Sequence, residues 1–164
     1  MKFIVDAMLG KLARWLRMLG HDVIYSTALS DSGLLELAKK ENRVLLTKDL
    51  ELYRRAIARG IDAFYLEGKS ESERLAEVAK RYNLTLEIDM EKSHCPLCNT
   101  KLEATPKEQL SGELEKNTFT YYDKFWKCPN CRQVYWQGAH WKQISNTIKE
   151  AQAKLEKLKE KNRT

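Results

Sequence analysis

Two short stretches restrict what this chain can fold into more than anything else in it: "CPLC" at 95–98 and "CPNC" at 128–131. They contain all four cysteines, as two Cys-x2-Cys pairs with 29 residues between them. A two-residue spacer forms a tight knuckle whose thiolates converge on one point. Two knuckles close a tetrahedral site of four sulfurs, the donor set of structural Zn²⁺. An iron–sulfur cluster uses the same ligands, but two such knuckles in a small strand-rich module favour zinc. In an oxidising compartment the same cysteines would pair as disulfides. A bound ion would also supply folding energy that about 50 residues with a sparse core lack.

The compartment follows from what the sequence does not contain. No apolar run approaches the ~20 residues needed to cross a bilayer. The first residues show no charged segment followed by an apolar stretch and a small-residue cleavage site. The expectation is a cytoplasmic protein with no membrane partner and with reduced cysteines. The net charge of +6 and the pI near 9.1 favour polyanionic partners, nucleic acid first.

Residues 1–90 alternate strand and helix signals. Phe3–Val5, Val23–Tyr25, "RVLLT", "DAFYL" and "LTLEI" read as five strands. Between the first two, Leu9, Leu12, Ala13, Leu16 and Leu19 recur at helical spacing, and Gly20 ends that helix. Asp31 or Ser32 starts a second helix, Leu50 to Arg59 is a third, and "SESERLAEVAKRY" is a fourth whose Ser70 and Glu73 fit a capping box. Strands separated by helices imply right-handed βαβ units and a parallel sheet covered on both faces. Composition changes after Met90. Residues 94–142 hold the cysteines, three of the four tryptophans and three of the seven tyrosines. Helical periodicity then resumes, with Ile144, Ile148, Ala151, Leu155 and Leu158 forming one seam. The expected organisation is an α/β domain over 1–90, a cysteine module over 91–142 and a basic amphipathic helix over 143–164.

In parallel sheets, chemistry gathers beyond the carboxyl ends of the strands, near a topological switch point. Asp6 follows the first strand, Asp31 follows the loop after the second, and Asp49 follows the third. Three carboxylates at one edge repel unless a cation joins them, and Mg²⁺ or Mn²⁺ takes such oxygen ligands. The plainer reading makes each of them a helix N-cap, a favoured use of aspartate.

Taken together, "VDAMLGKLARWLRMLGHDV", "DSGLLELAKKENRVLLTKDLEL" and a four-cysteine region closing in "VYWQGAHW" resemble the Mut-seven C-terminal RNase family, over most of residues 1–142. That resemblance implies a PIN-like three-layer α/β/α domain, a C-terminal zinc ribbon and metal-dependent RNA cleavage. Carried over by position, Asp6, Asp31 and Asp49 match the family's acidic positions, and Thr47 matches the hydroxyl residue beside the last. Glu67 and Asp89 are candidates for a fourth acidic ligand.

Lys11, Arg14 and Arg17 are spaced by three along the first helix and read either as a phosphate-binding stripe or as a solvated face. Lys48 and His140 are further candidates for substrate contact. Aromatic residues in "YYDKFWKCP" and "VYWQGAHW" either stack on unpaired bases or fill the core of the cysteine module. His21 reads as a surface turn residue. The last helix sets Lys154, Lys157, Lys159, Lys161 and Arg163 against Glu156 and Glu160, and its seam is expected to pack on the rest of the chain. The function expected from all of this is a Mg/Mn-dependent endoribonuclease acting on structured tRNA or rRNA, near ribosomal subunits, as a monomer or weak homo-oligomer. The alternative is a non-catalytic RNA- or ribosome-binding protein with a vestigial acidic site.

Overall fold

A computed structural model of the chain describes residues 1–161. Arg163 lies outside the described residues. The first half is a four-stranded, all-parallel sheet in the order β2-β1-β3-β4, from β1 (Lys2–Val5), β2 (Asp22–Tyr25), β3 (Val44–Thr47) and β4 (Ala63–Tyr65). The intervening helices are α1 (Gly10–Met18), α2 (Asp31–Glu41) and α3 (Leu50–Ala58), with α4 (Glu71–Tyr82) after β4. Strand side chains alternate between faces, and the two cores show it. Phe3, Val5, Val23, Val44 and Leu46 pack with residues of α1 and α4 on one face. Ile4, Leu45 and Ala63 pack with Leu34, Leu35, Leu52 and Ala56 of α2 and α3 on the other. The result is three layers with helices on both sides.

The local signals behave as read. Ser70 Oγ accepts the Glu73 N–H at 3.2 Å, capping α4. Gly20 takes φ +97°, which only a residue without Cβ adopts cheaply, and turns the chain from α1 into β2.

Two expectations need correction. The segment 84–88 is not a fifth strand. Leu84, Leu86 and Ile88 pack against the first core, and the Leu86 carbonyl accepts Gln152 Nε2 at 2.6 Å instead of joining a ladder. The helix supplying Gln152 is α6 (Trp141–Lys161). It lies along α4, and its Ile148, Ala151 and Leu155 are buried in the same core as Phe3 and Val5. The apolar seam therefore packs in cis and completes one helical layer of the sheet domain. Lys154, read as part of a basic face, is drawn in to Ser72 Oγ at 2.8 Å.

The cysteine module contains a three-stranded antiparallel sheet of β5 (Glu103–Thr105), β6 (Phe125–Lys127) and β7 (Val134–Tyr135), with α5 (Lys116–Tyr121) between the first two. Met90, Leu102, Trp126, Cys95 and Cys128 form its small core. It is fastened to the first domain beside the amino ends of the strands. Asn99, just after the first knuckle, accepts the Val23 N–H on Oδ1 at 2.8 Å and donates to Asp22 Oδ1 at 2.7 Å. His94 N donates to the Arg17 carbonyl, and Ser93 Oγ to the Met18 carbonyl at 2.6 Å.

Candidate functional site

The connection from β1 runs to β2 on one side, and that from β3 runs to β4 on the other. The carboxyl ends of β1 and β3 therefore flank the switch point, where an open α/β sheet offers a crevice. Asp6 stands there and is 5% exposed. A carboxylate so buried is costly unless hydrogen-bonded, and Asp6 has three donors. Oδ1 accepts the Met8 N–H at 2.8 Å; Oδ2 accepts the Lys48 N–H at 3.0 Å and the Thr47 hydroxyl at 2.5 Å. The Asp6 N–H itself extends the ladder to the Leu46 carbonyl.

Thr47 joins this aspartate to the next. Its oxygen donates to Asp6 and accepts the Asp49 N–H at 2.9 Å. Thr47, also a candidate for substrate contact from its place beside Asp49, is fully buried and acts instead as a brace within the acidic edge. Asp49 caps α3: its Oδ1 accepts the Glu51 and Leu52 N–H groups at 3.0 and 3.2 Å. Each carboxylate has about four acceptor positions. Asp49 spends two of them on the cap and keeps Oδ2 for another partner, so the cap and ligand readings are compatible.

Asp31 is placed differently. Ser30, not Asp31, caps α2, its Oγ accepting the Gly33 N–H at 3.1 Å. Asp31 is the first helical residue, exposed, with Oδ2 3.7 Å from Arg55 Nη1 of α3. Among the described residues, the three aspartates do not form a group whose ligand oxygens all lie within 4.8 Å of one another. Trans ligands of a magnesium ion stand about 4.2 Å apart. The all-oxygen donor set suits a hard dication, but at this spacing at least one carboxylate would reach a shared ion through water, which magnesium retains readily. Of the two fourth-ligand candidates, Glu67 lies exposed just past β4, with its N–H on Glu77. Asp89 caps a turn toward the cysteine module, away from this edge.

The basic stripe divides. Lys11 and Arg14 are exposed, while Arg17 is 6% exposed. At 100° per residue, six residues turn the helix by about 600°, leaving Arg17 about 120° around the axis from Lys11. Arg17 Nε donates to the Val23 carbonyl at 2.9 Å and Nη1 to the Pro96 carbonyl of the first knuckle at 2.8 Å. Arg17 is therefore a strut between domains, not a phosphate ligand. Burial pulls its guanidinium below the ordinary range, opposed by the nearby Cys95 and Cys98 sulfurs. Lys48 is half-buried with its backbone N–H on Asp6. His140 is exposed but lies on the cysteine module beside Gly138. His21 is only half-exposed: its Nδ1 meets the Met1 amine at 3.1 Å, its ring stands edge-on to Phe3 at 5.6 Å, and desolvation first, then neighbouring positive charge, pulls it down to about 4.

The cysteines do converge. All four sulfurs lie within 4.8 Å of one another, with Cys95–Cys131 at 3.6 Å and Cys98–Cys128 at 3.4 Å. A tetrahedral ion with ~2.3 Å bonds sets sulfurs roughly 3.8 Å apart, so the cluster fits zinc. The knuckles repeat each other in detail. Cys95 N and Cys128 N donate to the carbonyls of Thr100 and Gln133, and Asn99 N and Arg132 N return to the Cys95 and Cys128 carbonyls. Asn99 and Arg132 occupy matching left-handed positions, at φ 74° and 68°. Desolvation raises the Cys98 thiol, but bonds led by those from Thr100 win and hold it down to about 5. A backbone bond from Gln133 favours the Cys131 thiolate, yet desolvation and the Cys128 and Cys95 sulfurs push this thiol up to about 12. Four thiolates this close repel one another, and a dication relieves the repulsion.

Sequence reasoning missed the fastening between the two parts. Asp22 Oδ1 receives both Asn99 and Arg43, whose Nη1 lies at 2.9 Å. The available signal was the residue after each knuckle, Asn in one and Arg in the other. Asparagine tolerates the left-handed turn and also brings an amide.

No helix among the described residues is long and apolar enough to cross a membrane. Neither a curated protein nor a solved structure matches the chain. The Mut7-C RNAse domain matches residues 1–148 of the 164, a match that points to an RNase-type activity with RNA as substrate, and the chain belongs to that family.

Proposed function

We propose that this protein is a metal-dependent endoribonuclease of PIN type that hydrolyses phosphodiesters of structured RNA, with tRNA or rRNA as the substrate class, ribosomal subunits as the setting and the cytoplasm as the compartment. The observation that carries the reading is the chain Asp6–Thr47–Asp49 at the switch point, in which one buried hydroxyl orients two carboxyl-edge residues. Asp6 and Asp49 would hold Mg²⁺ or Mn²⁺, with Asp31 reaching it through water. When bound, such an ion activates a water and offsets the charge that develops on the phosphodiester. Asp6, braced by three donors, keeps its carboxylate fixed without reorganising. Asp49 Oδ2, left open by the cap, would be the oxygen offered to the ion. Lys11 and Arg14 take the phosphates that flank the reacting one. The cysteine module holds zinc and has a structural role.

The non-catalytic reading has one observation in its favour: Asp31 is paired with Arg55 and does not join the other two carboxylates in a tight group. Incubating the protein with labelled structured RNA and Mn²⁺, beside Asp6→Asn, separates the two. Cleavage giving 5′-phosphate ends that disappears in Asp6→Asn supports the enzyme. Tight RNA binding without cleavage in any divalent metal supports the binder and overturns the nuclease.

A further inference from the structure

A small cavity of about 140 Å³ lies where the cysteine module meets the opening turn of α6 and the end of α1. We infer that it is a binding site for a single unpaired nucleobase of an RNA, separate from the acidic edge. The inference rests on the proposal that RNA is the ligand of this protein. The cavity is lined by Tyr135, Trp136, Trp141, His94 and His140, and no Asp or Glu is among its lining residues. It is well short of the ~300 Å³ at which drug-sized sites begin, but a flat heterocycle is the kind of group it suits.

Tyr135 and Trp141 also pack on the module's core, and Tyr135 Oη meets Cys95 Sγ at 3.2 Å, but three features give this cluster more than a core role. The buried Trp126 uses its indole N–H on Glu91 at 3.4 Å. Among the described residues neither Trp136 nor Trp141 has such an acceptor, although both are only half-buried. An indole N–H without a partner beside a cavity can donate to a base edge while the ring stacks on its face. The second feature is Gly138. A Cβ there would stand 2.7 Å from Trp136 Nε1, so glycine is what lets this indole close onto the turn beside the cavity, with His140 Cε1 in ordinary contact at 3.7 Å. The third is charge. Lys101, the bridge partner of His94, and Lys142, next to Trp141, are exposed cations for the adjoining phosphates. Four larger clefts, of about 640, 520, 430 and 200 Å³, each have at least one carboxylate in their lining, among them Asp89, Glu67, Glu113 and Glu103, which repels phosphate.

Met18 and Ser93 also line the cavity, which puts it by the amino ends of the strands, opposite Asp6. An RNA reaching both sites spans at least the ~13 Å length of a four-residue strand. The selected substrate therefore carries an unpaired nucleotide at a distance from the cut.

The test uses the zinc-loaded full chain without Mg²⁺ or Mn²⁺, ¹⁵N-labelled at its four tryptophans. It is titrated with a five-nucleotide single-stranded RNA and with the matching abasic oligonucleotide. The expected result is saturable movement of the Trp136 and Trp141 indole signals with the RNA only, Trp15 staying still. Trp136→Ala and the cavity-filling Ile144→Phe each weaken binding about tenfold. His140→Ala, at an exposed position, weakens it without changing the melting temperature. Absence of saturable movement at both indoles, or equal movement with the abasic oligonucleotide, overturns the inference. Indole movement in a protein that cleaves no RNA with Mn²⁺ upholds this site while refuting the nuclease. Cleavage without indole movement does the reverse.

Discussion

The Thr47 hydroxyl donates to Asp6 Oδ2 at 2.5 Å while the same oxygen accepts the Asp49 N–H at 2.9 Å. One side chain thus sets the position of two acidic residues just past the ends of neighbouring strands, from a fully buried site. Replacing it tests the relationship. Thr47→Val keeps the shape but leaves Asp6 short of a donor and the Asp49 N–H without an acceptor. A loss of about 1–3 kcal/mol in denaturant unfolding is expected, together with weaker Mn²⁺ binding. Thr47→Ser should restore most of both.

Arg17 is expected to act on stability and not on RNA. Its guanidinium serves the Val23 and Pro96 carbonyls from a buried position. Arg17→Met strands those carbonyls, each worth about 1–3 kcal/mol when left buried without a donor. Arg14→Ala should leave the melting curve nearly unchanged but lower RNA affinity and flatten its salt dependence by about one phosphate contact. Melting curves and salt titrations of the two variants should therefore differ in opposite ways.

Zinc removal should be felt in the sheet domain. Asn99, one residue past the first knuckle, holds Val23 N and Asp22. Metal analysis should find about one zinc per chain. Chelation is expected to raise hydrogen exchange at the Val23 amide, in β2, as well as in the module. Asn99→Gly keeps the left-handed turn and loses only the amide bonds. Asn99→Ala should cost about 1–2 kcal/mol more, because a Cβ is strained at φ 74°.

Stability should fall with acid through His21. Desolvation beside Phe3 places its folded pKa at about 4, below the ordinary 6.5. The unfolded chain therefore binds the proton first. The contribution is fully present above pH 6.5 and is lost as pH falls toward 4. His21→Gln should flatten the slope of melting temperature against pH in that window.

Much of this molecule was legible in the sequence, for physical reasons. Buried parallel strands are short apolar runs, so β1 to β4 announced themselves, and Cys-x2-Cys knuckles have few uses. The segment 84–88 misled because its alternation of Leu84, Leu86 and Ile88 answers equally to burial under a helix. Arg17 misled because spacing by three drifts around the helix, and two steps carried it from solvent to the interface. Asp6 and Asp49 were placed by the rule about carboxyl edges, but how closely Asp31 approaches them depends on Ser30 taking the cap and on Arg55 from another helix. The fastening through Asn99 and Asp22 joins residues 77 apart in the chain, beyond any local pattern.

The open oxygen of Asp49 is the group on which a catalytic acidic edge most depends. Serine caps a helix as aspartate does, so Asp49→Ser removes the carboxylate and keeps the cap on α3. The decisive measurement is the single-turnover rate of RNA cleavage in Mn²⁺ for this variant, with its melting temperature taken beside the parent. A rate reduced by at least about 100-fold at an unchanged melting temperature is the predicted result. Cleavage at the parent's rate by the folded variant would contradict the assignment of the acidic edge as the active site.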